Sequence, residues 1–318
     1  MLRTGRSRKN KLFIVFLLFA FLSLLFIGCT ASERSPEDAD NAKIPANRGE
    51  KVLSVHFIDV GQGDCTLFVT PNGKTILIDA GEKSASDAIV NYIKGQGIRK
   101  IDVVIATHPH SDHIGGMEDV IRAFDIGQVY MPKVMHTTQT FENLLLALQE
   151  KGLKVKTAKA GVTIDIDPDV EAVMLAPHSE AYENLNDYSA VLKVTYGNNS
   201  FLVTGDAEAT SEKEMLASGD DLSADVLKVA HHGSSTSTTD EFLDAVHPAH
   251  AVILLGKDND YGHPHRETIE KLTKRGIPIY RTDELGNIVF ASDGQEILLY
   301  HPSSQGKTAS PIETIYIG

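Results

Sequence analysis

A short segment from Thr107 to Gly116 concentrates the side chains best suited to chemistry. It reads Thr-His-Pro-His-Ser-Asp-His-Ile-Gly-Gly, and its three imidazoles and one carboxylate belong to His108, His110, His113 and Asp112. Imidazole and carboxylate groups are typical protein ligands of zinc and similar divalent ions. A polar surface loop that is merely rich in histidine is the alternative, but four ligand types at this close spacing favour a metal-binding turn.

More ligand-type residues stand at the ends of predicted strands elsewhere in the chain. Asp79, Asp206 and the pair His231-His232 each come at or just past the end of an apolar run of strand length. Side chains from several strand ends can meet at one edge of a sheet sandwich. Two divalent ions about 3.5–4 Å apart, bridged by a carboxylate and a water, use this number of ligands, and the water is then a hydroxide near neutral pH. The pattern therefore predicts a two-metal site.

The elements that position these residues are predicted in two halves of similar design. Each half begins with paired strands, as at the Asn-Gly turn within 71–74, and ends in strand–helix units. Helices with an apolar face are expected at 84–94 and 139–150. This mixture of hairpins and crossovers predicts two mixed sheets packed face to face with helices outside, in one domain over 51–305. A polar C-terminal tail is expected at 306–318.

The amino-terminal region differs from the rest of the chain in composition. Five basic residues and no acidic one precede Glu33, and the run Leu12–Ile27 contains a single polar residue. A basic start followed by such a run is typical of an export signal. The run ends in Phe-Ile-Gly and Cys29, which resembles a bacterial lipobox. Residues 1–28 are therefore predicted to be a lipoprotein signal peptide, and an uncleaved signal anchor is the alternative.

Residues 29–50 are predicted to be a flexible tether, because small and polar residues dominate and almost no large apolar residue is present. The bulk of the protein is expected outside the cytoplasm, anchored to the cell membrane by an N-terminal lipid or a signal anchor. The chain has two cysteines, Cys29 and Cys65. If Cys29 carries lipid, no disulfide supports the fold.

Taken as a set, the motifs resemble the metallo-β-lactamase fold superfamily. The resemblance rests on the histidine segment, on Ile-Asp79-Ala-Gly, on Thr-Gly-Asp206 and on His231-His232-Gly. It implies an α/β (α+β) fold, which is a four-layer αββα sandwich of two mixed sheets. It also implies two divalent metal ions, Zn or Mn, as cofactors.

Three further motifs resemble the domain attached to the ComEC competence proteins. They are Asp-Val-Gly-Gln-Gly-Asp from Asp59, His-His-Gly-Ser-Ser from His231, and Tyr-Gly-His-Pro-His from Tyr261. The likeness covers roughly residues 52–292 and is specific as a set, although each motif alone is only suggestive.

The resemblance implies six metal ligands, namely His108, His110, Asp112, His113, Asp206 and His232. The two leading histidines bind the first ion, Asp112 and His113 bind the second, and Asp206 bridges the pair. Of the two adjacent histidines, His232 is expected to complete the second site, whereas His231 faces the substrate or acts as an acid. Asp112 and His231 are the predicted catalytic residues.

A second group of residues is expected to support the ligands or to contact the substrate. Asp79 would orient a ligand histidine through a hydrogen bond, and two histidines that precede a helix N-terminus suit an anion. The aspartates near Gly61 and Gly63 could instead cap turns, and the serines could cap the following helix. The predicted members are Asp79, Asp59, Gln62, Asp64, Asp187, Ser234, Ser235, His263 and His265.

One departure from the superfamily pattern concerns the first metal ion. Many members carry another histidine before the strand that leads to the Gly-Asp turn, but residues 183–189 read Glu-Asn-Leu-Asn-Asp-Tyr-Ser. Asn186 or Asp187 could substitute, His178 could reach in, or the ion could be held more loosely. The third ligand of the first ion stays open at this point.

A hydroxide held between two metal ions suits hydrolysis of an ester, phosphodiester or amide. Phosphodiesters rank first because paired metals neutralise charge at a phosphoryl centre. The expected substrate is a phosphodiester or other small ester, with DNA among the candidates through the ComEC resemblance, and no protein partner is inferred. A binding protein with an incomplete first metal site is the main alternative, and lactam hydrolysis is less favoured.

The charge balance weighs against a protein that binds duplex DNA. The chain has 30 Lys and Arg against 43 Asp and Glu, and removing residues 1–28 with their five basic residues leaves a net charge of −18. Duplex-binding proteins normally present a basic patch. The predicted function is therefore a metallohydrolase that acts on ester bonds, with phosphodiesterase or nuclease-like activity.

Overall fold

The computed structural model describes residues 51–300 and 314–315. The signal peptide and tether predicted over 1–50 lie outside these residues, as does the predicted C-terminal tail apart from Thr314–Ile315. Within the described part of the chain, no helix combines the length and the apolar character needed to cross a membrane.

The described residues form fifteen strands, numbered in chain order. They are β1 Leu53–Phe57, β2 Thr66–Val69, β3 Thr75–Ile78, β4 Lys100–Ile105, β5 Asp125–Met131, β6 Val155–Thr157, β7 Val170–Ala176, β8 Val191–Tyr196, β9 Asn199–Val203, β10 Val226–Lys228, β11 His250–Ile253, β12 Ile279–Arg281, β13 Ile288–Ser292, β14 Ile297–Tyr300 and β15 Thr314–Ile315.

Helices follow most of the parallel strands. The α-helices in the described part are α1 Ser86–Gly95, α2 Ser111–Ile114, α3 Met117–Ala123, α4 Gln139–Glu150, α5 Ala209–Ser218, α6 Asp240–Val246, α7 Arg266–Lys274 and α8 Thr282–Leu285. Short 3-10 helices lie at Lys83–Ala85, Leu185–Tyr188 and Ala230–Gly233.

Each of the two sheets combines an antiparallel unit with a parallel unit. The nine-stranded sheet has the order β15-β14-β13-β1-β2-β3-β4-β5-β6; its β1, β2 and β3 pair antiparallel, and β3 to β6 run parallel. The six-stranded sheet has the order β12-β11-β10-β9-β8-β7; its β7, β8 and β9 pair antiparallel, and β9 to β12 run parallel. Parallel neighbours share one edge for their carboxyl ends, so the loops that bear chemistry gather at that edge.

The apolar core lies in three layers. Side chains from both sheets meet in the middle, where the rings of Phe68 and Phe201 pack edge to face with centroids 6.2 Å apart. Helices α1, α3 and α4 bury their apolar faces on the outer side of the first sheet. Helices α5, α6 and α7 do the same on the second sheet. The predicted αββα sandwich of two mixed sheets is therefore confirmed.

The loop that follows β1, after Phe57, lies against the histidine segment. After the strand ends at Phe57, the backbone N–H of Asp64 donates to the carbonyl oxygen of Asp112 at 3.0 Å. Gly63 has a φ of +134°, and a Cβ added there would lie 2.3 Å from that same oxygen. Because glycine has no side chain, the loop can approach the histidine segment this closely.

The close approach at Gly63 is the basis of a stability prediction. We expect Gly63→Ala to lower the free energy of unfolding by about 2 kcal/mol or more beyond Gly61→Ala, because its Cβ must push two backbones apart. Gly61 also has a positive φ, of +72°, but no heavy atom within 4 Å of an added Cβ, so it isolates the cost of backbone strain. Urea unfolding of the two variants measures the difference, and equal losses would contradict this account.

Candidate metal centre

The side chains of the site project from loops at the carboxyl ends of four strands. Asp79 follows β3, the histidine segment follows β4, Asp206 follows β9, and His231 and His232 follow β10. Asp79, His231 and His232 have positive φ values of 59°, 49° and 51°. For a non-glycine residue such a conformation costs about 1–3 kcal/mol, and it persists only where the surrounding structure stabilises it.

The first pair of predicted ligands faces one another directly. His108 Nε2 lies 2.9 Å from His110 Nδ1. The other ring nitrogen of His108 lies 3.1 Å from the Thr107 hydroxyl and 3.3 Å from the Ser189 hydroxyl. Burial holds the pKa of His108 well below its ordinary value, so the ring is neutral and keeps a lone pair. Two convergent imidazole nitrogens are suited to one divalent ion.

Four other predicted ligands form a second group. Ligand atoms of Asp112, His113, Asp206 and His232 all lie within 4.8 Å of one another. His113 Nε2 lies 3.2 Å from Asp206 Oδ1, and both atoms are buried with no hydrogen-bond partner. His232 Nε2 lies 3.1 Å from Asp112 Oδ2. Facing polar atoms that are otherwise unsatisfied fit a shared cation, and two nitrogen with two oxygen ligands suit zinc or manganese.

One carboxylate connects the two groups. Asp206 directs Oδ1 toward His113, while its Oδ2 lies 3.9 Å from His108 Nε2 and 3.7 Å from His232 Nε2. The side chain is almost completely buried. A buried carboxylate that lies close to imidazoles of both groups has the position that a bridging ligand requires.

Electrostatics favours cations around Asp206. Burial alone would raise the pKa of this carboxyl, but the imidazoles of His113 and His232 outweigh burial and hold the pKa well below its ordinary value. Burial would likewise lower the pKa of His232, but Asp206 and Asp64 raise it to about 10. Protons and metal ions compete for the same imidazole nitrogens, so metal binding here releases protons.

Asp79 lies behind the second group and holds His113 in place. Its carboxylate is fully buried and accepts hydrogen bonds from Thr107 N at 2.8 Å and Thr107 Oγ1 at 2.6 Å. His113 Nδ1 lies 2.7 Å from Asp79 Oδ2 and donates to it. This contact keeps a proton on Nδ1, so Nε2 is the nitrogen available to a metal ion, as is usual for a histidine that binds a metal.

A buried lysine that sequence analysis missed lies beneath the centre. Lys228 is completely buried, pairs with the carboxylate of Asp64 and donates to Gly205 O at 2.9 Å. Its Nζ is also 3.9 Å from Asp206 Oδ1. The available signal was a lysine inside the otherwise apolar run Val226–Ala230, three residues before His231. Its ammonium offsets part of the negative charge of the site.

Glu208, which was also missed, lies at the rim of the site. Its carboxylate accepts hydrogen bonds from Asn184 Nδ2 at 2.7 Å, Asn186 Nδ2 at 3.1 Å and Thr236 Oγ1 at 2.8 Å. His231 Nδ1 lies 3.0 Å from the same carboxylate. In the sequence this residue reads as an ordinary acid at the start of a helix, so only the folded structure reveals its contacts.

Several other predicted residues lie along the same cleft. Gln62 and His263 line it, and Gln62 Nε2 and His263 Nδ1 are buried without a hydrogen-bond partner. Ser235 is not among the cleft residues; its backbone N–H donates to His265 Nδ1 at 2.9 Å, which joins two loops. The hydroxyl of the buried Ser234 lies 3.0 Å from Thr236 Oγ1.

The remaining predicted residues are used in turns and caps. Asp59 is exposed and accepts from Gly61 N at 3.0 Å, as the capping alternative predicts. Asp187 accepts from the backbone N–H groups of Glu208 and Ser211 at the start of α5. Both carboxylates satisfy backbone N–H groups near loop or helix ends.

The cleft above these residues has a volume of about 380 Å³. This is enough for a small organic ester and falls in the usual range of ligand sites. Its walls include His110, Asp112, His136, Asn186, Asp206, His231, His232 and Tyr261. The site is thus a buried His/Asp cluster that opens into a polar cleft.

The buried ion pair generates a second stability prediction. Lys228→Met leaves the Asp64 carboxylate buried without its cation, and we expect the free energy of unfolding to fall by about 3–5 kcal/mol. Lys193→Met is the matched control, because Lys193 also points from a strand of the second sheet but pairs with the exposed Asp221. That variant should lose no more than about 1 kcal/mol. Urea unfolding distinguishes the two, and similar losses would contradict the role given to Lys228.

Comparison with known proteins agrees with the geometry. The family model described as metallo-beta-lactamase superfamily matches residues 58–257. ComE operon protein 3 of Bacillus subtilis is 32% identical over 253 residues, which cover 74% of this chain and 32% of that protein. Competence protein ComA of Neisseria gonorrhoeae is 30% identical over 243 residues, 76% of this chain and 32% of that protein. The predicted likeness to competence proteins is confirmed, and the chain spans about a third of the length of these relatives.

A solved structure shows the same fold. A mutant of the CmlA beta-hydroxylase superposes with a TM-score of 0.50 at 14% identity, covering 74% of this chain and 53% of that one. At this identity the likeness concerns the fold alone. The matched family region contains the histidine segment, Asp206 and both adjacent histidines, and it extends over more than half of the sequence. The chain therefore belongs to the metallo-beta-lactamase superfamily.

Proposed function

We propose that the chain is a two-metal hydrolase of ester bonds whose substrates are phosphodiesters. The observation that carries the proposal is the position of Asp206, whose buried carboxylate lies within 3.9 Å of imidazole nitrogens from both groups of ligands at the base of an open cleft. Bound divalent ions supply a hydroxide near neutral pH and neutralise charge on the oxygens of a phosphoryl group. The ligands proposed for them are His108, His110, Asp112, His113, Asp206 and His232.

Negative charge at the cluster supports cation binding. The cluster contains the carboxylates of Asp64, Asp79, Asp112 and Asp206, and the ammonium of Lys228 lies near two of them, Asp64 and Asp206. The neighbouring carboxylates raise the pKa values of His113 and His232, so these imidazoles offset further charge until a metal ion displaces their protons. Bound divalent cations would then balance carboxylates that are largely removed from water.

The cleft offers donors for an anionic substrate. Gln62 Nε2 is a buried N–H group with no partner in the described residues, and the His263 ring lies 5.5 Å from that of His231 on the same wall. The non-bridging oxygens of a phosphodiester can accept hydrogen bonds from such groups. These contacts would bind and orient the substrate above Asp206 and keep its ester bond over the proposed metal ligands.

A small phosphodiester fits better than duplex DNA. The net charge of −18 that remains without residues 1–28 gives little attraction for a long polyanion. One of the two relatives is named as a competence protein, but the chain covers about a third of each relative, so a role in competence does not transfer directly. DNA ends or single strands remain within the proposed substrate class.

The proposal extends to location. We propose that an N-terminal lipid on Cys29, or an uncleaved signal anchor, holds the domain at the outer side of the cell membrane. The support is the basic start and the apolar run Leu12–Ile27 before Gly28 and Cys29. Accumulation of an unprocessed precursor in the presence of globomycin would support lipidation, and unchanged processing would favour the signal anchor.

The hydrolase proposal predicts metal-dependent turnover. Purified protein loaded with Mn²⁺ or Zn²⁺ should hydrolyse bis-p-nitrophenyl phosphate and bind two ions per chain by elemental analysis. Asp206→Ala should reduce turnover by at least about 100-fold, because both ions lose a shared ligand. Asp220→Asn, which changes an exposed carboxylate outside the cluster, should retain wild-type turnover.

Two results would contradict the hydrolase proposal. Fewer than one bound ion per chain together with an untouched phosphodiester would favour the alternative of a binding protein on this fold. Full activity of the Asp206→Ala variant would exclude the bridging role of that residue. If the protein cleaved a lactam in preference to the phosphodiester, the proposed substrate class would be wrong, but the proposed metal centre would stand.

A further inference from the structure

We infer that His231 is the third protein ligand of the first metal ion and that Glu208 is the residue that orients it. The inference rests on the two-ion centre of the proposed function. It supplies the ligand that the sequence left open and gives His231 a role different from the substrate-facing or acid role expected from sequence. With this assignment, the first ion does not require the histidine that many superfamily members carry in the region of residues 183–189.

Two of the candidates named from sequence are poorly placed for the task. Asp187 uses its carboxylate to accept from the backbone N–H groups of Glu208 and Ser211. His178 is exposed and is not among the residues that line the cleft. Asn186 lines the cleft, its Nδ2 donates to Glu208 at 3.1 Å, and its Oδ1 is buried without a hydrogen-bond partner, so Asn186 is the competing candidate that the experiment must separate from His231.

The contacts of the His231 ring are those of a metal ligand. Nδ1 lies 3.0 Å from Glu208 Oε1 and donates to it, which leaves the lone pair on Nε2. Nε2 lies 3.8 Å from Asp206 Oδ2, the oxygen that is also 3.9 Å from His108 Nε2. His232 Nε2 lies 3.7 Å from the same oxygen, but it faces Asp112 at 3.1 Å. His231 would therefore share the Asp206 carboxylate with His108 as a ligand of the first ion.

The backbone is arranged so that adjacent histidines can serve different ions. His231 and His232 have consecutive left-handed conformations, with φ of 49° and 51°, and their rings lie 6.1 Å apart at an angle of 69°. His232 directs Nε2 to Asp112 at 3.1 Å, whereas His231 turns Nδ1 to Glu208 and Nε2 toward the Asp206 oxygen that also lies near His108. Backbone strain of this kind is retained where side-chain direction matters.

Glu208 resembles Asp79 in what it does. Asp79 accepts from Nδ1 of His113 at 2.7 Å, and Glu208 is at 3.0 Å from Nδ1 of His231. Asn184, Asn186 and Thr236 donate to Glu208 and fix its orientation. Each half of the centre thus contains a carboxylate that orients one histidine, an arrangement found behind many metal-bound histidines.

Metal binding by the full chain in detergent tests the assignment without relying on turnover. Mn²⁺ is titrated into the protein, and free Mn²⁺ is followed by electron paramagnetic resonance. Wild type should bind two ions, and His231→Ala should weaken one of them by about 10–100-fold while the other is unchanged. Glu208→Ala should weaken the same ion, and Glu208→Gln, which can still accept from Nδ1, should recover part of the loss. His178→Ala removes an exposed histidine that does not line the cleft and should leave both affinities at wild-type values.

The outcomes separate this inference from the proposed function. Two wild-type affinities in His231→Ala would overturn the inference, and so would loss of one ion in Asn186→Ala when His231→Ala keeps both. One ion at most in wild type would overturn both the inference and the two-metal hydrolase. Two ions in wild type, the expected losses in His231→Ala and Glu208→Ala, and no phosphodiester hydrolysis would support the inference while excluding the proposed substrate class.

Discussion

Mutual repulsion among four carboxylates at one buried edge is the constraint that the rest of the structure satisfies. Asp64, Asp79, Asp112 and Asp206 come from four separate loops, and burial alone would drive each to take up a proton. The ammonium of Lys228, the surrounding imidazoles and the backbone N–H groups offset this cost. The fold can hold such a cluster because two sheets, packed over a large apolar core, fix where each loop begins.

The sandwich could be predicted because its local signals agree with its topology. Asn72-Gly73 turns a hairpin, and the alternating strand and helix patterns after it indicate parallel crossovers, so the mixed character of both sheets could be predicted. The return of β13 to the first sheet, where it pairs with β1, has no such local signal. The path of the loop from Asp59 to Asp64 could not be predicted in the same way. The glycines indicated a turn. The contact of this loop with Asp112 could not be predicted, because it joins two segments that are far apart in the sequence.

The metal-binding residue types were visible in the sequence because their spacing is tight and their chemistry is distinctive. Lys228 and Glu208 were not, since each resembles something ordinary: a lysine within a strand and an acid before a helix. Their importance arises from burial and from partners elsewhere in the chain, namely Asp64 for one and His231 for the other. Tertiary contacts, rather than local sequence, therefore determine which charged residues belong to the site.

The Asp79–His113 pair is more deeply buried than the Glu208–His231 pair, so the two sides of the cluster differ in their exposure to solvent. Asp79 and His113 are fully buried, whereas the His231 side chain keeps 23% of its exposure and lines the cleft. The pair that includes Glu208 is consequently the more accessible to solvent. Solvent screens charges more strongly there, so this pair attracts a cation less strongly than the buried pair does. In the proposed two-ion centre, the ion beside His113 would therefore be held more firmly than the ion beside His231, which would lie nearer the open cleft.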